Sequence, residues 1–289
     1  MFINKILGKL FSHASQIDAD ELKKEGLFFD MHFHTNYSDG ATSIKTLNKL
    51  CKKYNVGVAI TDHNEIKGCM EAALYDFNFI PGIELRPKEN FDMLIYFYKL
   101  EDLIDFFKTS VLPYRKKLIY SGIELNGREI FNRLKKYNCI TSIPHPYGIM
   151  HGLPRKIEQK LYIEKGADKF HLIKQFDCIE VMNGHLMMNK NEAALELAKK
   201  YGKAYTGGSD GHVKYDLGKV LTYSRVKDTK SFLDNLKKRK VSIYCYEGRV
   251  GRMLISRTWA FRKHVKHPIH YVARIMRYGK TKIKDGFKK

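Results

Sequence analysis

Short apolar runs alternate with stretches of helical spacing through the middle of the chain. The runs are 28–34 (FFDMHFH), 56–63 (VGVAITDH), 79–85 (FIPGIEL), 92–98 (DMLIYFY), 140–146 (ITSIPHP), 178–183 (CIEVMN) and 204–210 (AYTGGSD). Their length and their β-branched and aromatic content predict strands. Between them, Ile44, Leu47, Leu50 and Cys51 recur at helical intervals. Ala193, Ala194, Leu197 and Ala198 do the same, before Lys199, Lys200 and Gly202 supply a stop. Strands alternating with helices predict an α/β fold with a largely parallel sheet. Seven runs suit a closed or nearly closed (β/α) barrel, and periodicity alone also allows an open doubly wound sheet.

Hydrophobic residues make up 44% of the 289 positions, which suits a packed core rather than a disordered chain. No stretch of 18 apolar residues occurs, so no membrane-spanning helix is expected. The first residues carry Lys5 and Lys9 inside their apolar stretch and lack the h-region of a signal peptide. Cys51, Cys69, Cys139, Cys178 and Cys245 are scattered and odd in number, which argues against a disulfide framework and for a reducing cytoplasm.

Charge refines the picture. The net charge is +21, and residues 249–289 hold 13 Lys/Arg against the single acid Asp285. The basicity is therefore partly a tail property. Three segments are expected: an N-terminal amphipathic helical extension (1–25, with the stripe Ile3, Ile6, Leu7, Leu10, Phe11), a central domain (26–248) and a basic amphipathic tail (249–289). The plainest reading of the tail is a helical extension packed on the barrel with a solvated basic face. Attachment to an anionic membrane surface, peripheral at the inner membrane, is the next reading. Nucleic acid follows it.

Five of the seven runs end in metal-capable side chains. They are His32 with His34, Asp62 with His63, Glu84, His145, and Asp210 with His212. In barrels of this type the C-terminal strand ends converge. His32 and His34, two apart on a strand, project from one face and can chelate one cation. Imidazole with carboxylate favours zinc, iron or manganese over calcium. A bridging carboxylate such as Glu84 would let a second cation sit beside the first. Any one such His is more often an ordinary polar residue; the coincidence at five strand ends carries the metal reading.

The segments DMHFHTNYSDG (30–40), ITDHN (60–64), PGIE (81–84), PHP (144–146), IEVMNG (179–184) and GGSDGH (207–212) together resemble the PHP (polymerase and histidinol phosphatase) superfamily over roughly residues 28–225. The resemblance implies a distorted (β/α)7 barrel and two or three divalent ions (Zn, Mn or Fe). It implies His32, His34, Glu84 and Asp210 around the first ion, Glu84 and His145 around the second, and Asp39, His63 and His212 around the third. Asp62 would orient His63. One element departs from the family: many members add a fourth-strand His to the second ion, whereas DMLIYFY has none. Leu94 stands near that position, with Asp92 as a weak substitute.

The expected activity is metal-dependent hydrolysis of a phosphate ester on a small phosphorylated substrate such as a nucleotide or sugar phosphate. A water activated by the cations would attack phosphorus, with Asp210, His212 or His63 moving the proton. Arg86, Asn183 and His185 are candidates for substrate contact, the alternative for each being a solvated loop residue. Two other functions compete: a catalytically weak binding or regulatory module tethered to a membrane or polyanion, and a PHP-type nuclease.

Overall fold

The computed structural model describes residues 11–13, 25–116, 122–148, 152 and 171–245. Ten strands form one sheet: β1 (Phe11–His13), β2 (Leu27–Phe33), β3 (Gly57–Ile60), β4 (Phe79–Leu85), β5 (Met93–Phe97), β6 (Cys139–Ile143), β7 (Cys178–Asn183), β8 (Ala204–Gly208), β9 (Val220–Ser224) and β10 (Ser242–Cys245). Their order is β1-β10-β9-β2-β3-β4-β5-β6-β7-β8. Each of the seven sequence runs contains one of the strands β2 to β8. Phe11, grouped in sequence with a helical stripe, lies instead in β1; residues 3–10 and the basic tail 249–289 fall outside the described residues.

The strands β2 to β8 curl into a nearly closed barrel. Its seam lies just beyond the end of β8, where the His34 N–H donates to the Gly211 carbonyl (2.8 Å) and the Gly211 N–H to the His32 carbonyl (3.2 Å). Gly208 permits this approach, because a Cβ there would stand 2.5 Å from the backbone nitrogen of His32. Strands β9, β10 and β1 extend the sheet past β2 as a side flap.

The sheet is less parallel than the alternation of elements suggests. β5 runs antiparallel to both β4 and β6, and β9 antiparallel to β2 and β10. The expected seven-fold β/α repeat is thus broken at β5. The reversal puts the N-terminal end of β5, not its C-terminal end, at the mouth. Leu85 pairs with Met93 and Glu84 with Leu94, so Asp92 lies one step farther out, level with Arg86.

Two buried clusters follow from the pleat. One collects Phe29, Met31, Ala59, Ile80, Leu94, Tyr96, Ile140, Cys178 and Ala204, from all seven barrel strands, and fills the barrel interior. Helix α7 (Thr229–Lys237) adds Phe232, Leu233 and Leu236 to it, with Phe232 and Phe29 rings 4.6 Å apart. The other cluster packs outer strand faces against helices α1 (Ile44–Tyr54), α2 (Lys67–Ala72), α3 (Leu100–Phe106), α4 (Gly127–Leu134), α5 (His171–Gln175) and α6 (Met188–Lys200). Ser43 caps α1 through the Thr46 N–H, and α4 starts with a reciprocal capping box between Asn126 and Glu129. Among the described residues no helix is long and apolar enough to cross a membrane.

Candidate metal centre

All the strand-end residues singled out from sequence except Asp62 meet at the mouth of the barrel. His32 and His34 project inward from β2, Asp39 and His63 from the following loops, Glu84 from β4, and His145, Asp210 and His212 from the loops after β6 and β8. His145 and Asp210 have positive φ, 29° and 53°. Such backbone strain persists only where the surroundings impose it, and it clusters at functional sites. For His145 the cause is local: Pro144 and Pro146 flank it, its N–H donates to Glu180 Oε2 (2.7 Å), and its carbonyl accepts from the Gly148 N–H (2.7 Å).

Four atoms form a small polyhedron. His32 Nε2 lies 3.1 Å from His34 Nε2, 3.4 Å from Glu84 Oε2 and 3.5 Å from Asp210 Oδ1. His34 Nε2 lies 3.3 Å from both Glu84 Oε2 and Asp210 Oδ1. A tetrahedron around an ion bonded to nitrogen and oxygen at ~2.0–2.1 Å has edges of about 3.3 Å, and these five separations match that length, with His32, His34 and Asp210 close enough to share one cation. A second set is built on Asp39 Oδ2, with His212 Nε2 at 3.3 Å and His63 Nε2 at 3.5 Å. On the remaining side His145 Nε2 sits 3.1 Å from Glu84 Oε1. His34 Nδ1 is buried without a hydrogen-bond partner among the described residues, 3.5 Å from Asp39 Oδ1.

The electrostatics call for positive charge. Burial would lower the pKa of His212, but the Asp39 carboxylate beside it outweighs burial and raises it to about 10. Burial opposes His145 too, but its hydrogen bond and charge attraction to Glu84, together with Asp210 and Asp92, take it to about 9. His63 goes the other way, lowered to about 4 by burial. Asp39, Glu84 and Asp210 are held well below the usual carboxylate range despite burial, chiefly by His212, His63 and His32 respectively. Four clustered acids, Asp39, Glu84, Glu180 and Asp210, thus hold protons on neighbouring imidazoles, protons that a divalent cation would displace.

The surrounding residues differ in part from expectation. Asp62 is fully buried, but its carboxylate accepts from the Thr35 N–H (2.8 Å), the Thr35 hydroxyl (2.6 Å) and the Ser38 hydroxyl. It therefore braces the loop carrying Asp39, where orientation of the His63 ring was expected. Arg86 is no solvated loop residue: it is buried and paired with Asp92, Nε to Oδ1 at 2.5 Å and NH2 to Oδ2 at 2.9 Å. Asn183 reaches the cluster, donating to Glu180 Oε2 (2.9 Å) and Asp210 Oδ2 (3.4 Å). His185 stands at the rim, Nε2 3.7 Å from Asp216 Oδ2.

Two acids were missed by the sequence reading. Glu180, in mid-β7, accepts from His32 Nδ1 (3.0 Å), which leaves His32 Nε2 as the free donor atom facing the cluster. Asp216 accepts from the His212 N–H (3.0 Å) and the Val213 N–H (3.1 Å) and pairs with Lys219 (2.5 Å), pinning the loop after β8. The signal for Glu180 was present, since an acid inside an apolar buried strand needs partners.

Comparison with known proteins adds lineage. A family model described as PHP-associated matches residues 189–241. An uncharacterized protein of Methanocaldococcus jannaschii is 27% identical over 192 residues, 65% of this chain and 67% of that one. Among solved structures, a two-domain protein of Bacteroides vulgatus containing a predicted PHP-like metal-dependent phosphoesterase superposes with TM-score 0.52 at 19% identity, over 82% of this chain and 70% of that one. The lesion-specific endonuclease PfuEndoQ of Pyrococcus furiosus superposes with TM-score 0.54 at 16% identity, over 75% of this chain and 57% of that one.

Proposed function

We propose that this chain belongs to the PHP superfamily and is a metal-dependent hydrolase of phosphate esters acting at the barrel mouth. The observation that carries the reading is the close approach of the His32 and His34 imidazoles to each other and to the carboxylates of Glu84 and Asp210, at 3.1–3.5 Å. In this reading those four hold the first ion, Glu84 and His145 flank a second position, and Asp39, His63 and His212 hold a further one. When bound, the ions supply neutralisation of phosphoryl charge and a water acidic enough to attack at neutral pH.

The chain's own residues then divide the work. Asp210 Oδ1 faces the paired imidazoles, while Oδ2 turns toward Asn183. Oδ2 accepts the proton of the attacking water. Asp210, His212 and His63 keep 18%, 15% and 10% side-chain exposure, whereas His32 and His34 keep none, so the proton exchanges with solvent through the former three. Asn183 and His185 border the space a phosphate would enter.

The substrate class favoured is a small phosphorylated molecule, a nucleotide or sugar phosphate. A nuclease reading draws on the shared fold with the lesion-specific endonuclease and on the chain's net charge of +21. The test is a panel of p-nitrophenyl phosphate, nucleotides, sugar phosphates and single- and double-stranded DNA, offered to protein loaded with Mn2+ or Zn2+. His34→Ala and Asp210→Ala should each abolish turnover of whichever substrate reacts. Undiminished turnover in both variants refutes the proposal.

A further inference from the structure

The three groups of donors are unequal. At the first position His32 Nε2 and His34 Nε2 lie 3.1 Å apart, and each is 3.3–3.5 Å from Glu84 Oε2 and Asp210 Oδ1. The Asp39 position has three side chains about one oxygen. The remaining one has Glu84 Oε1 and His145 Nε2; the trio His32, Glu84 and His145 can be completed only by borrowing His32 Nε2 from the first position. Leu94, opposite Glu84 in register, belongs to the apolar barrel interior and offers no donor.

The reversal of β5 delivers Asp92 to this point, with Oδ2 4.0 Å from His145 Nε2. That oxygen is already committed, accepting from Arg86 NH2 at 2.9 Å while Oδ1 accepts from Nε. The fork is bidentate, the geometry in which Arg binds carboxylate most firmly. Arg86 is held from behind as well: its N–H donates to Asn64 Oδ1 (3.1 Å) and its carbonyl accepts from the Ile123 N–H (2.9 Å). A guanidinium carries its charge at any working pH. A permanent cation therefore stands beside the donor-poor position, and it repels a divalent ion there while compensating the Glu84 carboxylate.

We infer that the guanidinium of Arg86, clamped by Asp92, takes the place of a metal ion at the Glu84–His145 position, so that the chain binds two divalent ions rather than three. The inference rests on the metal-dependent reading above. It gives Arg86 a positioning role: it holds the Asp92 carboxylate and adds positive charge on the Glu84–His145 side of the mouth.

The test is the metal content of the full chain after loading with excess Mn2+ or Zn2+ and desalting, read by mass spectrometry against protein concentration. Two ions per chain are expected. Three ions overturn the inference and leave the hydrolase reading standing; no ions at all remove both, so the two failures are told apart. His145→Ala should keep two ions, and a fall to one overturns the inference. The double variant Arg86→Met with Asp92→His replaces the clamp by an imidazole aimed at His145, and should raise the count to three. A double variant with wild-type circular dichroism that still binds two overturns it.

Discussion

Replacement of Glu180 by Gln tests how the barrel prepares its imidazoles. Three donors converge on this buried carboxylate: His32 Nδ1 at 3.0 Å, the His145 N–H at 2.7 Å and Asn183 Nδ2 at 2.9 Å. Two of them share Oε2. A Gln has one acceptor oxygen, which will stay with those two because turning the NH2 toward them opposes donors to donors. The NH2 then faces His32 Nδ1, and the ring must give up its Nδ1 proton and carry one on Nε2 instead. That proton points at Glu84, His34 and Asp210, where the first ion is proposed to bind. Loss of such a supporting carboxylate costs roughly 10–100-fold in metal affinity, equivalent to about 1.4–2.8 kcal/mol. Competition of Zn2+ or Mn2+ against a chromogenic chelator gives the affinity, with circular dichroism confirming the fold. Affinity of Glu180→Gln within twofold of wild type would refute this account of how His32 is prepared.

Three further outcomes follow from the geometry. His212, raised to about 10, is protonated at pH 7 without metal, so an ion bound beside Asp39 must displace that proton; calorimetry in buffers of different ionisation enthalpy should detect the release, and apparent affinity should rise with pH toward that value by about tenfold per unit. A flat affinity between pH 6 and 9 would contradict it. Gly208→Ala puts a methyl 2.5 Å from the His32 backbone and should cost about 1–3 kcal/mol by overpacking the seam, seen as a lower melting temperature in chelator together with weaker metal binding. Asn126→Ala, which removes the α4 capping box and touches none of the donor side chains, should cost about 1 kcal/mol of stability and leave metal affinity unchanged.

Much of the barrel could be read before any coordinates, because its staves are short apolar runs whose ends carry the chemistry. His32, His34, Glu84 and Asp210 belong to separate runs, and the rule that strand ends converge was enough to bring them together. The direction of β5 was out of reach. DMLIYFY is buried along its whole length, and a strand apolar on both faces reads the same in either direction. That one unknown moved Asp92 from a weak substitute to the mouth, and tied Arg86, a candidate for substrate contact, into an ion pair. Likewise β9 and β10 went unnoticed because VLTYS and SIYC are short and end in nothing chemically distinctive. The bond from Asp62 to Thr35 and Ser38 depends on the path of a loop, which no periodicity encodes.

The turn between Arg86 and Asp92 carries both halves of the buried fork, and it hangs from an antiparallel hairpin rather than from a crossover helix. Hairpin turns can change length or composition without disturbing the strands that support them. The electrical character of one side of the mouth is therefore set by a replaceable part, outside the frame that fixes the other donors. Relatives of this chain could acquire or lose a cation there by editing that turn alone, with every stave of the barrel left in place.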